Sequence, residues 1–170
     1  MGLFEKDTFP KMLNIEHQNM QFIGKSHYNI AFIKPYELAF YGVEKPKNEK
    51  EIFGERFIKL IRLKLTTSFV TTDIFIKFML DMYKNTAGKE LENHRGTLDD
   101  LLKAIKREGA RNNDIFDVFY DGKGNSFLIK NGKTIEKAAD SNALSQISFG
   151  IWLGENCINK KMKGELLKGI

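Results

Sequence analysis

Apolar positions in this chain follow a period of two in the first third and again near residue 115, with helical spacing between and after these stretches. Residues 1–16 show no period, which predicts a loosely docked N-terminal arm ahead of a single domain over 17–170. Met20, Phe22 and the stretch from His27 to Ile33 predict two short strands joined around Gly24. A third, Tyr36 to Val43, starts after Pro35, a residue tolerated at strand starts and edges because it has no N–H to donate. Residues 45–51 read as a charged loop. From Phe57 to Thr67, Lys59, Ile61, Leu63 and Leu65 alternate with Leu60, Arg62 and Lys64, so one face is mostly apolar and the other partly charged. That pattern predicts a half-buried strand.

Helical spacing takes over at Thr71 or Thr72, either of which can cap a helix carrying Ile74, Phe75, Phe78, Met79 and Met82 along one face. A break is expected over residues 84–96. Thr97-Leu98-Asp99-Asp100 then opens a second helix, with Leu98, Leu101, Leu102 and Ile105 as its stripe and Gly109 at its end. Ile115 to Tyr120, Ser126 to Lys130 and Lys133 to Lys137 predict a meander, because Asp121-Gly122 and Asn131-Gly132 supply positive φ cheaply at the turns. Asp140 or Ser141 caps an apolar helix that reaches Trp152, stops at Gly154 and is followed by a short basic helix. Strands on either side of a helical pair, with helices again at the end, describe an α+β domain with helices grouped on one face of an antiparallel sheet.

Composition narrows the class. At 170 residues, 42% hydrophobic and 29% charged, the chain is long enough for one real core. The formal charge of +5 is spread evenly, Lys and Arg alternating with Asp and Glu, which describes a solvated surface and no nucleic-acid partner. Cys157 is the only cysteine, so no intrachain disulfide forms. No stretch reaches the ~20 apolar residues of a transmembrane segment. Met1 to Lys6 lacks the apolar run of an export signal, and Lys6 stands where myristoylation of Gly2 wants Ser or Thr. The chain as it stands therefore reads as cytoplasmic, and as periplasmic if an export signal has been trimmed. Oligomeric state leaves no trace in the pattern.

Candidate chemistry is sparse. Gly122-Lys123-Gly124 lies between two strands, not between a strand and a helix as a phosphate-cradling loop requires, so it reads as a hairpin turn. His17, His27 and His94 have no ligand at i+3 or i+4, and Cys157 is distant from all three; no metal site and no cofactor are expected. The carboxylate pairs Asp99-Asp100, Asp114-Asp117 and Glu49-Glu51 fall where capping or solvation accounts for them. Cys157 reads as a small packing residue at the end of the tryptophan helix. Fourteen phenylalanines and six methionines are plentiful, and such side chains line an apolar cavity as readily as they fill a core.

The Gly-bearing hairpin at 121–125, the Asn131-Gly132-Lys133 turn, Ile151-Trp152-Leu153-Gly154 and Leu166-Leu167 occur in an order that resembles the chalcone isomerase-like family, particularly its bacterial branch. Upstream, Gly24-Lys25-Ser26-His27-Tyr28, Lys34-Pro35-Tyr36, Phe40-Tyr41 and Thr67 to Thr72 extend the likeness from about Phe22 to Leu167. The resemblance implies an open-faced β-sandwich: a curved antiparallel sheet covered by a layer of helices, with a cleft between.

It also implies roles. True isomerases of the family use an arginine on the early strand, a threonine on the next, and a tyrosine and an asparagine on the first long helix. Those positions fall here on Tyr28, on Tyr36, and near Thr71 and Phe78. Loss of one preorganised charge-stabilising donor typically costs ~2.7–4 kcal/mol of transition-state stabilisation, so chalcone cyclisation is not expected. Fatty-acid-binding members hold the carboxylate with an arginine and a tyrosine, of which this chain resembles only the tyrosine, at Tyr36. By strand parity Lys34 shares the side of Tyr28 and Tyr36, whereas Lys25 and His27 point away. The implied function is non-catalytic binding of a small apolar or amphipathic ligand such as a fatty acid. Its walls would be Phe75, Phe78, Met79, Phe149 and Trp152, and its polar end Tyr28, Tyr36 and Lys34. The alternatives are an isomerase or lyase in the same cleft, and a structural or partner-binding protein whose cleft is filled.

Overall fold

Seven strands pair antiparallel in sequence order: β1 (Met12–Ile15), β2 (Gln18–Ile30), β3 (Ile33–Gly42), β4 (Lys59–Leu65), β5 (Ile115–Tyr120), β6 (Ser126–Lys130) and β7 (Lys133–Ala138). This is a computed structural model and it describes residues 7–170. The start of the expected arm, with Gly2, lies outside the described residues. Helices α1 (Glu49–Ile52), α2 (Thr72–Ala87), α3 (Arg95–Glu108), α4 (Asn142–Leu153) and α5 (Lys160–Leu166) complete the α+β domain, with a 3₁₀ segment at Gly88–His94. The expected curved sheet with a helical layer is the architecture observed.

Both expected hairpins form. Asn131 and Gly132 take φ of 49° and 85°, the pair of positive values a two-residue β-turn needs, and Asp121 Oδ1 accepts from the backbone N–H of Lys123 and Asn125. A third tight turn left no mark in the sequence. Glu16 and His17 adopt φ of 48° and 64° without glycine, so Met12–Ile15 of the arm expected to dock loosely folds back onto β2 as an edge strand.

The two short strands expected around Gly24 are one 13-residue strand. Pairing with β3 shifts between Phe22↔Tyr41 and Gly24↔Phe40, so Ile23 is the extra residue of a bulge. Gly24 is needed for close approach, not for a turn: a Cβ there would lie 2.4 Å from the carbonyl oxygens of Glu165 and Leu166 in α5. The bare backbone lets α5 dock on β2, and Ser26 Oγ donates to Glu165 beside it.

Three helix boundaries also differ from expectation. Asn48 accepts from Glu51 N–H at 3.0 Å and converts part of the charged loop into α1, which buries Ile52. α2 continues into the expected break as far as Ala87, and Leu91 of the following 3₁₀ segment is buried, so that region is tied to the core. α3 starts at Arg95, which places Thr97 inside its first turn.

One core lies between sheet and helices and includes Leu38, Phe40, Leu63, Phe75, Phe149 and Trp152. A second covers the opposite face, where Tyr41, Leu60 and Phe119 meet Phe9 and Leu13. Tyr41 Oη donates to the Pro10 carbonyl at 2.8 Å and Arg62 to the Thr8 carbonyl at 3.1 Å, which ties residues 8–10 to the sheet. β4 is therefore covered on both faces. Asp117, expected at a capping or solvated position, is fully buried and receives both arms of the Arg62 guanidinium at 2.8 and 3.0 Å. No helix among the described residues is long and apolar enough to cross a membrane.

Candidate functional site

Thr71 caps α2 by accepting from Ile74 N–H at 3.3 Å, and this fixes where the helix starts. Phe75, Met79 and Tyr83 follow at intervals of four and face the core. Phe78, Asp81, Met82 and Asn85 lie about one turn-face round and look toward the turn end of the β2–β3 hairpin. The loop after α4 closes the third side with Asn156, Cys157 and Ile158. Between these elements is a cavity of about 360 Å³, open to solvent where Asp81, Asn85 and Asn156 stand exposed.

Its floor is a pair of tyrosines. Tyr28 and Tyr36 are direct cross-strand partners, their rings stacked with centroids 5.4 Å apart and planes 18° from parallel. Tyr36 is buried, and its Oη accepts the indole N–H of Trp152 at 3.2 Å. Burial pushes its pKa well above the ordinary phenol range; the Trp152 hydrogen bond pulls the other way and the nearby Tyr28 adds to the rise. Tyr36 is therefore a neutral phenol across physiological pH, with its own O–H still available to donate.

The eight residues expected to form a site separate into three groups. Tyr28, Tyr36 and Phe78 line the cavity. Phe75, Met79, Phe149 and Trp152 are core behind it: Phe75 packs on Phe116 with centroids 5.0 Å apart, and Trp152 supports Tyr36 from below. Met79 borders a separate void of only about 30 Å³ under α3, where the cleft between sheet and helices is filled by side chains. Lys34 is the correction. It is exposed, ion-paired with Glu37, and does not line the cavity. The β2–β3 register shifts again between Tyr28 and Ile30, which breaks the alternation on which its inward placement relied.

Met82 stood in the apolar stripe of α2 and was legible as a wall residue; Asp81, Asn85 and Thr86 follow from the same helical spacing once the facing strand is known. Nothing local marks Asn156, Cys157 and Ile158, which arrive through the loop. Cys157 is half-buried at the wall, just past the end of the tryptophan helix. Among the described residues no group of three or more His, Cys, Asp or Glu side chains is placed to hold a metal ion.

A second feature was missed by sequence reasoning. Lys59 of β4 is fully buried, and its ammonium donates to the Ile52 carbonyl at 2.7 Å. The rings of Phe149, Tyr120 and Phe53 surround it at 5.1, 5.3 and 5.5 Å from their centroids. Burial pushes its pKa down from the ordinary 10.5 to about 8. It is absent from the cavity wall.

A curved seven-stranded antiparallel sheet with helices across one face defines the class, and comparison with known proteins defines the family. The chain matches the family described as chalcone isomerase-like over residues 4–168, and it belongs to that family. Among solved structures it is similar to a fatty-acid binding protein of Arabidopsis thaliana, with a TM-score of 0.71 and 14% identity over 94% of this chain and 90% of that one. At that identity the likeness concerns the fold. No match is found among curated proteins.

Proposed function

We propose that this protein is a non-catalytic binder of a small apolar or amphipathic molecule, a fatty acid or a relative of one, held between the β2–β3 hairpin, α2 and the loop after α4. The observation that carries this reading is the cavity of about 360 Å³, within the ~300–1,000 Å³ span of small-molecule sites. Ile30, Phe78, Met82 and Ile158 give it apolar walls, and Tyr28 and Tyr36 a polar floor. The fatty-acid-binding role of the Arabidopsis protein supports the ligand class by analogy. A non-catalytic role is supported by the family resemblance, in which the four isomerase residues correspond to Tyr28, to Tyr36 and to positions near Thr71 and Phe78. Thr71 in addition spends its hydroxyl on capping α2.

Burial of an acyl chain contributes ~0.8 kcal/mol per methylene, and a neutral hydrogen bond about 0.5–1.5 kcal/mol, so chain length should govern affinity. Trp152 is the only tryptophan and touches the floor through Tyr36, which makes it an intrinsic reporter. Titration with saturated chains of increasing length should change its fluorescence saturably, with affinity rising as the chain lengthens, and Met82→Gln should weaken every member. No saturable change at millimolar concentration rejects the reading. An absorbance assay with naringenin chalcone tests the other half: enzyme-like turnover that Tyr36→Phe abolishes would make this an isomerase.

A further inference from the structure

The polar atoms around the cavity bear on the head group of the ligand, an inference that rests on the binding reading above. Among the described residues, one that lines it carries a formal charge, Asp81, whose carboxylate stands at the mouth. Lys34, the cation expected here, is committed to Glu37 outside. The remaining polar groups include the Tyr28 and Tyr36 phenols, the Asn85 and Asn156 amides and the Thr86 hydroxyl. One of them has unused capacity: Tyr36 accepts from Trp152 and so keeps its own O–H to donate.

An ionised carboxylate entering this site exchanges its hydration for neutral donors and meets Asp81 as a like charge. It finds no guanidinium fork of the kind that recognises carboxylates. A hydroxyl or amide head surrenders less hydration. It can accept from the Tyr36 O–H. We propose that the cavity selects an amphipathic molecule with an uncharged hydrogen-bonding head, an alcohol or primary amide on an acyl-type chain, over the corresponding carboxylate anion.

The test compares four probes of one chain length, dodecanol, dodecanamide, dodecanoate and dodecylamine, each titrated below its micelle-forming concentration at about pH 7.5, where the acid is ionised. The alcohol and the amide should bind at least about tenfold more tightly than dodecanoate, the penalty of an unpaired charge. Asp81→Lys should narrow or reverse the deficit of the acid, and the milder Asp81→Asn should move it the same way. Dodecanoate binding as well as dodecanol overturns the proposal, and so does dodecylamine binding better than the alcohol, since Asp81 would then be a counter-ion. Failure of all four probes to bind rejects the binding reading itself, an outcome distinct from lost selectivity.

Discussion

Trp152 donates its indole N–H to the phenol oxygen of Tyr36 across 3.2 Å, joining the last turn of α4 to β3 beneath the cavity floor. Both residues are buried, so neither partner has water as a substitute. The contact links the tryptophan helix, the most legible element of the chain, to the tyrosine that a family resemblance singled out.

Tyr36→Phe should keep the stack on Tyr28 and strand the indole N–H. A buried unsatisfied donor costs about 1–3 kcal/mol, so the urea midpoint should fall by that equivalent with the m-value unchanged. An unchanged midpoint would mean that water reaches the indole and that the floor is more open than its burial implies.

Gly24 and Gly164 should respond oppositely to alanine. A Cβ on Gly24 would sit 2.4 Å from two carbonyl oxygens of α5, so that helix must lift, at a cost of about 1–3 kcal/mol. For a domain of this size each kcal/mol is about 2–4 °C in Tm, and hydrogen exchange should accelerate first in α5. Gly164 lies within α5 with open space where its Cβ would be, so Gly164→Ala should stabilise by about 0.5–1 kcal/mol. Equal effects at the two positions would contradict the close docking of α5 on β2.

The contrast between these glycines also marks where local pattern stops informing. Asp121-Gly122 and Asn131-Gly132 were legible because a turn is a local problem, solved by adjacent residues. Gly24 answers to α5, some 140 residues later, and no window around it contains that partner. The same holds at the site. Phe78 and Met82 follow from helical spacing, and Tyr28 pairs with Tyr36 as two strands of opposite direction allow, but Asn156 to Ile158 reach the cavity only through the tertiary path of a loop. Lys34 was misplaced because strand parity holds only while the register does, and the β2–β3 register shifts beside Tyr28. The β1 turn escaped notice because Glu16 and His17 take positive φ without the residues that usually announce it.

Asp117→Asn should be among the most destabilising polar substitutions in the chain. It leaves the Arg62 guanidinium largely buried without its charge partner, a loss of about 3–5 kcal/mol in comparable buried pairs. Replacing Arg62 and Asp117 together by leucine should recover more than half of that loss, because no unpaired charge remains. A double-mutant cycle by chemical denaturation measures the difference, and additivity of the two single substitutions would show that the pair is not coupled.

Lys59 gives the fold a pH dependence with a definite sign. Its pKa is about 8 in the folded protein and 10.5 in an ordinary lysine, so between those values the unfolded chain binds a proton that the native one does not. Stability must then rise with pH across this window, by at most about 1.4 kcal/mol per unit, and the destabilisation is fully present below pH 8. Three ring faces and the Ile52 carbonyl offset part of the desolvation, which holds the folded pKa up and narrows the window. The upper half of the window is contested. Burial raises the pKa of Tyr36, Tyr41, Tyr83 and Tyr120, so these phenols keep protons that the unfolded chain releases near pH 10, and stability falls there. The Lys59 contribution is therefore cleanest between about pH 8 and 9.5, before ordinary tyrosines titrate. Denaturation midpoints should climb over that range in the native chain and stay flat in Lys59→Met, which keeps the stem and removes the charge. A native chain that is flat as well would mean that Lys59 stays protonated among its aromatic rings, held there by cation–π attraction strong enough to balance burial.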